Sequence, residues 1–142
     1  MEFLFDTTRT IVNMELKGIF KRFPKNQIYC TSCWAFLSLL VDRLDPFLKA
    51  IPINGSKPRI DMYAILRHLY YDVAGFSIPR QLGALLDIVD PHHLLYGSDY
   101  HYTPTFGCEA LAGQLNSTRL LSDRERNDIF YNNADRLFNS RD

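Results

Sequence analysis

Residues 94–104, LLYGSDYHYTP, gather more candidate chemistry than any other stretch of the chain. An apolar run ends in Gly97-Ser98-Asp99 and passes into a loop containing Pro104, which places Asp99 at the C-terminal end of an expected strand. In parallel α/β folds ligands and metals bind at that end, where a carboxylate can coordinate a cation or hold a proton. The same aspartate could instead cap the turn that follows it. His101 would face the same way as Asp99 if the extended conformation continued, giving an Asp-x-His pair of metal donors. Two donors do not complete a site.

A second candidate is Cys30-Thr31-Ser32-Cys33, which falls between an expected strand and the start of an expected helix. A helix dipole lowers a thiol pKa in that setting, so Cys30 and Cys33 could serve a dithiol oxidoreductase. The reading preferred on local sequence is two buried or semi-buried thiols. The surrounding order of elements is not that of a thioredoxin-like fold, and one Cys-x-x-Cys without a second ligand pair is thin support for structural zinc. His92 and His93 are adjacent, so in a strand they would point to opposite faces and could not serve one metal together; they read as surface or turn histidines. The sequence holds no Gly-x-Ser-x-Gly, Walker loop, His-Glu-x-x-His or Gly-x-Gly-x-x-Gly.

The elements that must position these residues follow from spacing. Asp6 is a candidate cap for a helix carrying Val12, Leu16, Ile19 and Phe20 on one face, with Pro24 as its stop. Residues 27–31 read as a short strand. A helix from about Ala35 presents Phe36, Leu37, Leu40, Val41 and Leu44, and Pro46 should end or kink it. Residues 51–59 hold Pro52, Gly55 and Pro58 and read as a loop, 60–69 as a helix, and 70–74 (YYDVA) as a buried strand. Pro79 suits the first turn of a helix bearing Leu82, Leu85, Leu86 and Ile88, and 93–96 form the next strand. Residues 108–115 should be helical, and Ser122 with Glu125 is a capping-box pattern opening a last helix. Strands separated by helices imply parallel pairing and an α/β class. Three strands are few for such a sheet, so exposed edges are expected.

Sixteen basic and sixteen acidic side chains cancel without forming a run, which disfavours nucleic acid and anionic membranes as partners. The longest apolar stretch, Trp34–Leu40, is interrupted by Ser38 and is too short to span a bilayer. The N-terminus lacks the pattern of a secretory signal, and three cysteines do not make a disulfide framework; both fit a cytoplasmic location.

Five segments in order carry a further signal. They are FDTTRTIVNMELKGIFKRFP, VDRLD, YYDVAGF, LLYGSDYHYTP and IFYNNADRLF. Together they resemble the amidohydrolase superfamily, in the branch of aminocarboxymuconate-semialdehyde decarboxylase and related aromatic-acid decarboxylases. The first resembles the helix before the sixth barrel strand, the second the helix after it, the third and fourth the seventh and eighth strands, and the fifth the C-terminal helix. The resemblance implies the C-terminal part of a (β/α)8 barrel, about strands 6 to 8 with flanking helices. It also implies zinc or a similar divalent metal, and decarboxylation or hydrolysis of small aromatic or unsaturated carboxylic acids.

By this resemblance Asp99 matches the metal-site aspartate of the eighth strand. The family's other ligands, a His-x-His pair on the first strand and a histidine on the fifth, would precede Met1. Ser32 falls where the sixth strand usually carries the histidine that handles the proton at the reacting carbon. Trp34 stands where a small residue is usual, and His101 replaces the proline of Gly-Ser-Asp-Tyr-Pro. The whole chain, 1–142, is therefore expected to be one partial barrel domain, inactive alone, since a full barrel takes about 250 residues. Alternatives are an interaction subunit that self-associates or completes a full-length relative, and the dithiol oxidoreductase.

Overall fold

The structure, a computed structural model, describes residues 2–31, 34–52 and 60–139. Helices α1 (Glu2–Leu16) and α2 (Ile19–Arg22) lead into strand β1 (Tyr29–Cys30), followed by α3 (Trp34–Ala50) and α4 (Met62–His68). Strand β2 (Tyr70–Asp72), α5 (Arg80–Leu86) and β3 (Leu94–Leu95) come next, then α6 (Thr105–Ser117), α7 (Asp123–Asn127) and α8 (Asn133–Asn139), with a π-helical turn, Asp128–Asn132, joining the last two.

The strands form a parallel sheet in the order β1-β2-β3, with Tyr29 opposite Tyr70, Cys30 opposite Tyr71, and Asp72 opposite Leu95. Helices between successive strands supply the crossovers that parallel pairing demands. One sheet face is dry. Cys30, Tyr71 and Leu94 sink into a core with Leu37 and Val41 of α3, Leu66 of α4 and Leu82 of α5. The buried Tyr71 hydroxyl donates to the Leu66 carbonyl at 2.7 Å, which satisfies the polar tip of an otherwise apolar side chain. Period-two alternation then turns Tyr29, Tyr70, Asp72 and Leu95 to the other face.

Several local expectations change. Asp6 does not cap α1, which already begins at Glu2; its carboxylate pairs with Arg9 one turn on. Pro46 does not end α3, which continues to Ala50. Leu37, Val41 and Leu48 lie buried on one stripe across the proline, and burial of that stripe outweighs one missing backbone hydrogen bond. The α4 helix is capped by Asp61, whose carboxylate accepts from the Ala64 amide at 2.9 Å. Residues 53–59 of the expected loop lie outside the described residues. The strand expected at 93–96 is shorter, because Asp90 caps a single 3-10 turn, Pro91–His93, just before it. At Ser122 the capping box forms as read from sequence, with both reciprocal hydrogen bonds present.

The outer edge of β3 is not bare, contrary to expectation. The Tyr96 amide donates to the Ile129 carbonyl at 2.9 Å, and the Asn133 side-chain amide donates to the carbonyls of Leu94 at 2.7 Å and Pro91 at 2.8 Å. The Tyr96 amide and the Leu94 and Pro91 carbonyls thus find partners in the π-helical turn and the start of α8.

Candidate functional site at the strand ends

Asp99 lies three residues beyond Tyr96 in the turn that leaves β3, at the C-terminal end of the sheet. Its φ of 59° is left-handed, a conformation that aspartate tolerates because its short side chain bonds locally. Here the Thr103 hydroxyl donates to Asp99 Oδ2 at 3.1 Å, and the Thr103 amide donates to the Asp99 carbonyl at 2.7 Å. The Cys108 thiol, on the first turn and a half of α6, donates to the Ser98 carbonyl at 3.3 Å and the Thr103 carbonyl at 3.4 Å. The turn is therefore tied at both ends. The left-handed backbone at Asp99 also removes the premise of the Asp-x-His pair, which needed an extended chain. His101 instead stacks its ring on Tyr100, with centroids 4.3 Å apart.

A residue that sequence reasoning missed sits beside this turn. Asp72 ends β2 and is buried, with only 5% of its surface exposed. Its Oδ2 accepts from the Tyr29 hydroxyl at 3.2 Å and its Oδ1 from the Ala74 amide at 3.2 Å. Burial first, then the charge and hydrogen bond of Asp72, push the Tyr29 phenol above its ordinary pKa range. Gly97 abuts the same carboxylate: a Cβ there would lie 3.2 Å from Asp72 Cβ and 3.7 Å from its Cγ, so no side chain larger than hydrogen fits without movement. Asp72 thus touches the ends of all three strands. An acidic residue in the apolar run YYDVA was the available signal.

The remaining candidates are elsewhere. Cys30 is buried, as the buried-thiol reading expects, but it is disulfide-bonded rather than a free thiol. Ser32 and Cys33 lie outside the described residues. His92 and His93 occupy the 3-10 turn at the opposite end of β3 from Asp99. His92 Nδ1 meets Asp90 at 2.6 Å and its Nε2 lies 3.7 Å from Asp128, while His93 bonds the Leu69 carbonyl at 2.9 Å and stacks on Tyr70. His93 is thus packed against β2 through Tyr70, while His92 stays half exposed on the turn beside Asp90 and Asp128. A pocket of about 520 Å³ lined by Phe20, Phe23, Gln27 and Ile28 also lies at the N-terminal end of the strands, away from Asp99.

A divalent metal needs more than this donor set provides. Among the described residues no three His, Cys, Asp or Glu side chains gather into a site, and Asp99 offers one carboxylate, half of it already engaged by Thr103. Zinc sites use at least three protein ligands. The described residues alone do not fit the metal.

An amidohydrolase family model matches residues 4–139. A 6-methylsalicylic acid decarboxylase of Penicillium expansum is 27% identical over 99 residues, which cover 70% of this chain and 31% of that protein. The crystal structure of an amidohydrolase II superposes with a TM-score of 0.86 at 36% identity, covering 97% of this chain and 43% of its own. The 5-carboxyvanillate decarboxylase of Novosphingobium aromaticivorans, bound to manganese and 4-hydroxy-3-methoxy-5-nitrobenzoic acid, shares the fold at a TM-score of 0.83 and 18% identity, with 98% of this chain and 40% of that one covered. The chain therefore spans less than half the length of each of these relatives.

Proposed function

Because the chain belongs to the amidohydrolase family, we propose that it forms the C-terminal part, about strands 6 to 8, of a (β/α)8 barrel that decarboxylates small aromatic carboxylic acids with a divalent metal. The observation that carries this reading is the position of Asp99, a carboxylate held by Thr103 just beyond the end of a parallel strand. The manganese and aromatic acid bound by the carboxyvanillate decarboxylase, and the aromatic acid named for the Penicillium relative, support the metal and the substrate class.

In this reading Asp99 is one metal donor among several, the others lying outside the described residues. Zinc or manganese would suit a carboxylate and histidine donor set, and when bound would polarise the substrate's oxygens. This chain's own contribution is to orient one carboxylate through Thr103 and to close the floor of the site with Tyr29 and Asp72. Loss of carbon dioxide leaves a carbon that must gain a proton. Ser32, at the position where the resemblance places a histidine, cannot shuttle that proton near neutral pH as imidazole does. With Asp99 as its single metal donor the chain by itself is inactive, and 1–142 acts as a single unit that works only within a completed barrel, where the proton comes from another group or from water.

The test uses the 142-residue chain, loaded with manganese or zinc and washed before metal analysis. Retained metal well below one ion per chain, and no turnover of 6-methylsalicylate or 5-carboxyvanillate, the acids named for two of its relatives, are expected. Stoichiometric metal or turnover would overturn the claim that the chain is inactive alone. In a second arm the chain is mixed with the first five βα units of the amidohydrolase II relative. Metal retention and turnover that vanish in Asp99→Asn are expected; a stable complex whose metal content ignores that substitution would overturn the role of Asp99.

A further inference from the structure

The buried carboxylate at the end of the central strand has so far served only as floor. Asp72 ends β2 on the sheet face turned away from the helices, where its register partner is Leu95. Desolvating a carboxylate is costly, so one placed here must be compensated by hydrogen bonds, and two of them are directional. One comes from Tyr29 of the neighbouring strand β1, the other from the Ala74 amide just past its own strand. Its third flank is Gly97, where an added Cβ would crowd Asp72, lying 3.2 Å from its Cβ and 3.7 Å from its Cγ. From Gly97 the chain runs directly to Ser98 and Asp99.

The contacts are unequal in kind. Tyr29 is 42% exposed, so its ring lies across the open face while its hydroxyl is anchored inward. An aromatic ring pinned at its polar tip is held at fixed height, since rotation about its bonds would break that hydrogen bond. Gly97, by contrast, meets Asp72 through shape. The turn's own hydrogen bonds, from Thr103 to Asp99 and from Cys108 to Ser98, fix it to α6 but not to the sheet.

We propose that Asp72 is a positioning residue of this site: by holding the Tyr29 hydroxyl on one side and seating the Gly97 turn on the other, it sets Asp99 relative to the Tyr29 ring. This rests on the reading of Asp99 as a functional carboxylate, but it makes a claim about geometry that can be measured without turnover. In this proposal Asp72 acts through Tyr29 and the Gly97 turn.

The experiment compares the full chain with Asp72→Asn, Asp72→Ala and Tyr29→Phe by nuclear magnetic resonance. The protein carries a 13Cζ tyrosine label, and amide exchange and global unfolding are followed in parallel. Asp72→Asn keeps the shape and an acceptor for the Ala74 amide but removes the charge. It is expected to shift the Tyr29 13Cζ resonance and the amides of Gly97 to Asp99. Exchange at the Thr103 amide, which bonds the Asp99 carbonyl, should quicken about tenfold or more at unchanged m-value, the scale of one weakened hydrogen bond. Tyr29→Phe should shift the turn less than either Asp72 variant.

If the Gly97 to Asp99 resonances and Thr103 exchange stay as in the parent while Asp72→Asn is folded, the proposal is overturned. It is overturned equally if all amides shift in proportion to lost stability, because that is a purely structural role. Should Asp72→Ala not fold, the isosteric Asp72→Asn decides alone. The outcome is independent of Asp99 chemistry: a turn coupled to Asp72 in a chain whose Asp99→Asn variant leaves the completed barrel active would sustain the coupling and sink the functional reading.

Discussion

Replacing Asn133 by alanine isolates the hydrogen bonds that fasten the C-terminal helix to the sheet. Asn133 is 1% exposed, and its one amide nitrogen donates to the carbonyls of Leu94 and Pro91, while its oxygen accepts from Arg136. Alanine removes both donated bonds. The Leu94 carbonyl is buried and would be left without a partner, a cost of about 1–3 kcal/mol; the Pro91 carbonyl is nearer solvent and can take water, adding about 0.5 kcal/mol. The sum is about 1.5–3.5 kcal/mol, a large part of the about 5–15 kcal/mol that holds a domain folded. With an unfolding entropy of about 2.1 cal/mol/K per residue, a chain of 142 residues should lose about 5–12 °C in Tm. Urea unfolding followed by circular dichroism should show a lower midpoint at constant slope. Asn139→Ala is the matched control, because its bond to Asp135 is exposed, and it should stay within about 0.5 kcal/mol of the parent. If Asn133→Ala is no worse than Asn139→Ala, the reasoning about the β3 edge is wrong.

Three other outcomes are expected. Tyr71→Phe deletes the buried hydroxyl bond to the Leu66 carbonyl and should cost about 1–2 kcal/mol in the same unfolding assay, with the ring's packing retained. Ser122→Ala breaks the capping box of α7 and should cost about 1 kcal/mol, whereas Ser122→Asp should recover most of it. Acid should destabilise the chain partly through Asp45. Burial pushes that carboxyl up, but the hydrogen bonds from Lys49 and the Met62 amide outweigh it and leave the pKa below the ordinary value. A depressed folded-state pKa gives stability that is present above the unfolded value, near 4, and lost as pH falls through the folded one. The urea midpoint of Asp45→Asn should therefore fall less steeply than the parent's between about pH 5 and pH 2.

Legibility differs with the range of the interaction. The Ser122 and Glu125 box, the crossover helices and the place of Asp99 after a strand all depend on neighbours within a few residues, and they can be read from the chain directly. The start of α1 cannot be read from Asp6, because that residue has a closer partner in Arg9 than the backbone amides it was expected to cap. The passage of α3 through Pro46 depends on what its apolar stripe meets in three dimensions, which periodicity alone does not weigh against a lost hydrogen bond. Asp72 is hidden in the sequence for a similar reason. Its partner Tyr29 is 43 residues away, and only strand pairing brings the two together. The Asp-x-His reading fails at a single dihedral angle, the left-handed φ of Asp99, for which a non-glycine residue gives little warning.

The union of α8 with β3 bears on how this polypeptide tolerates being shortened. Helices at the end of a sequence are often treated as dispensable trimmings, yet here the backbone groups of Leu94 and Tyr96 find their partners only after Asp128. A chain cut before that residue would uncover a row of unpaired strand groups flanked by Phe130's former contact, Tyr96. Such rows recruit other strands, so the shortened protein would collect in inclusion bodies rather than lose a little stability. Fusions and tags belong beyond Asn139, the end of the last described helix.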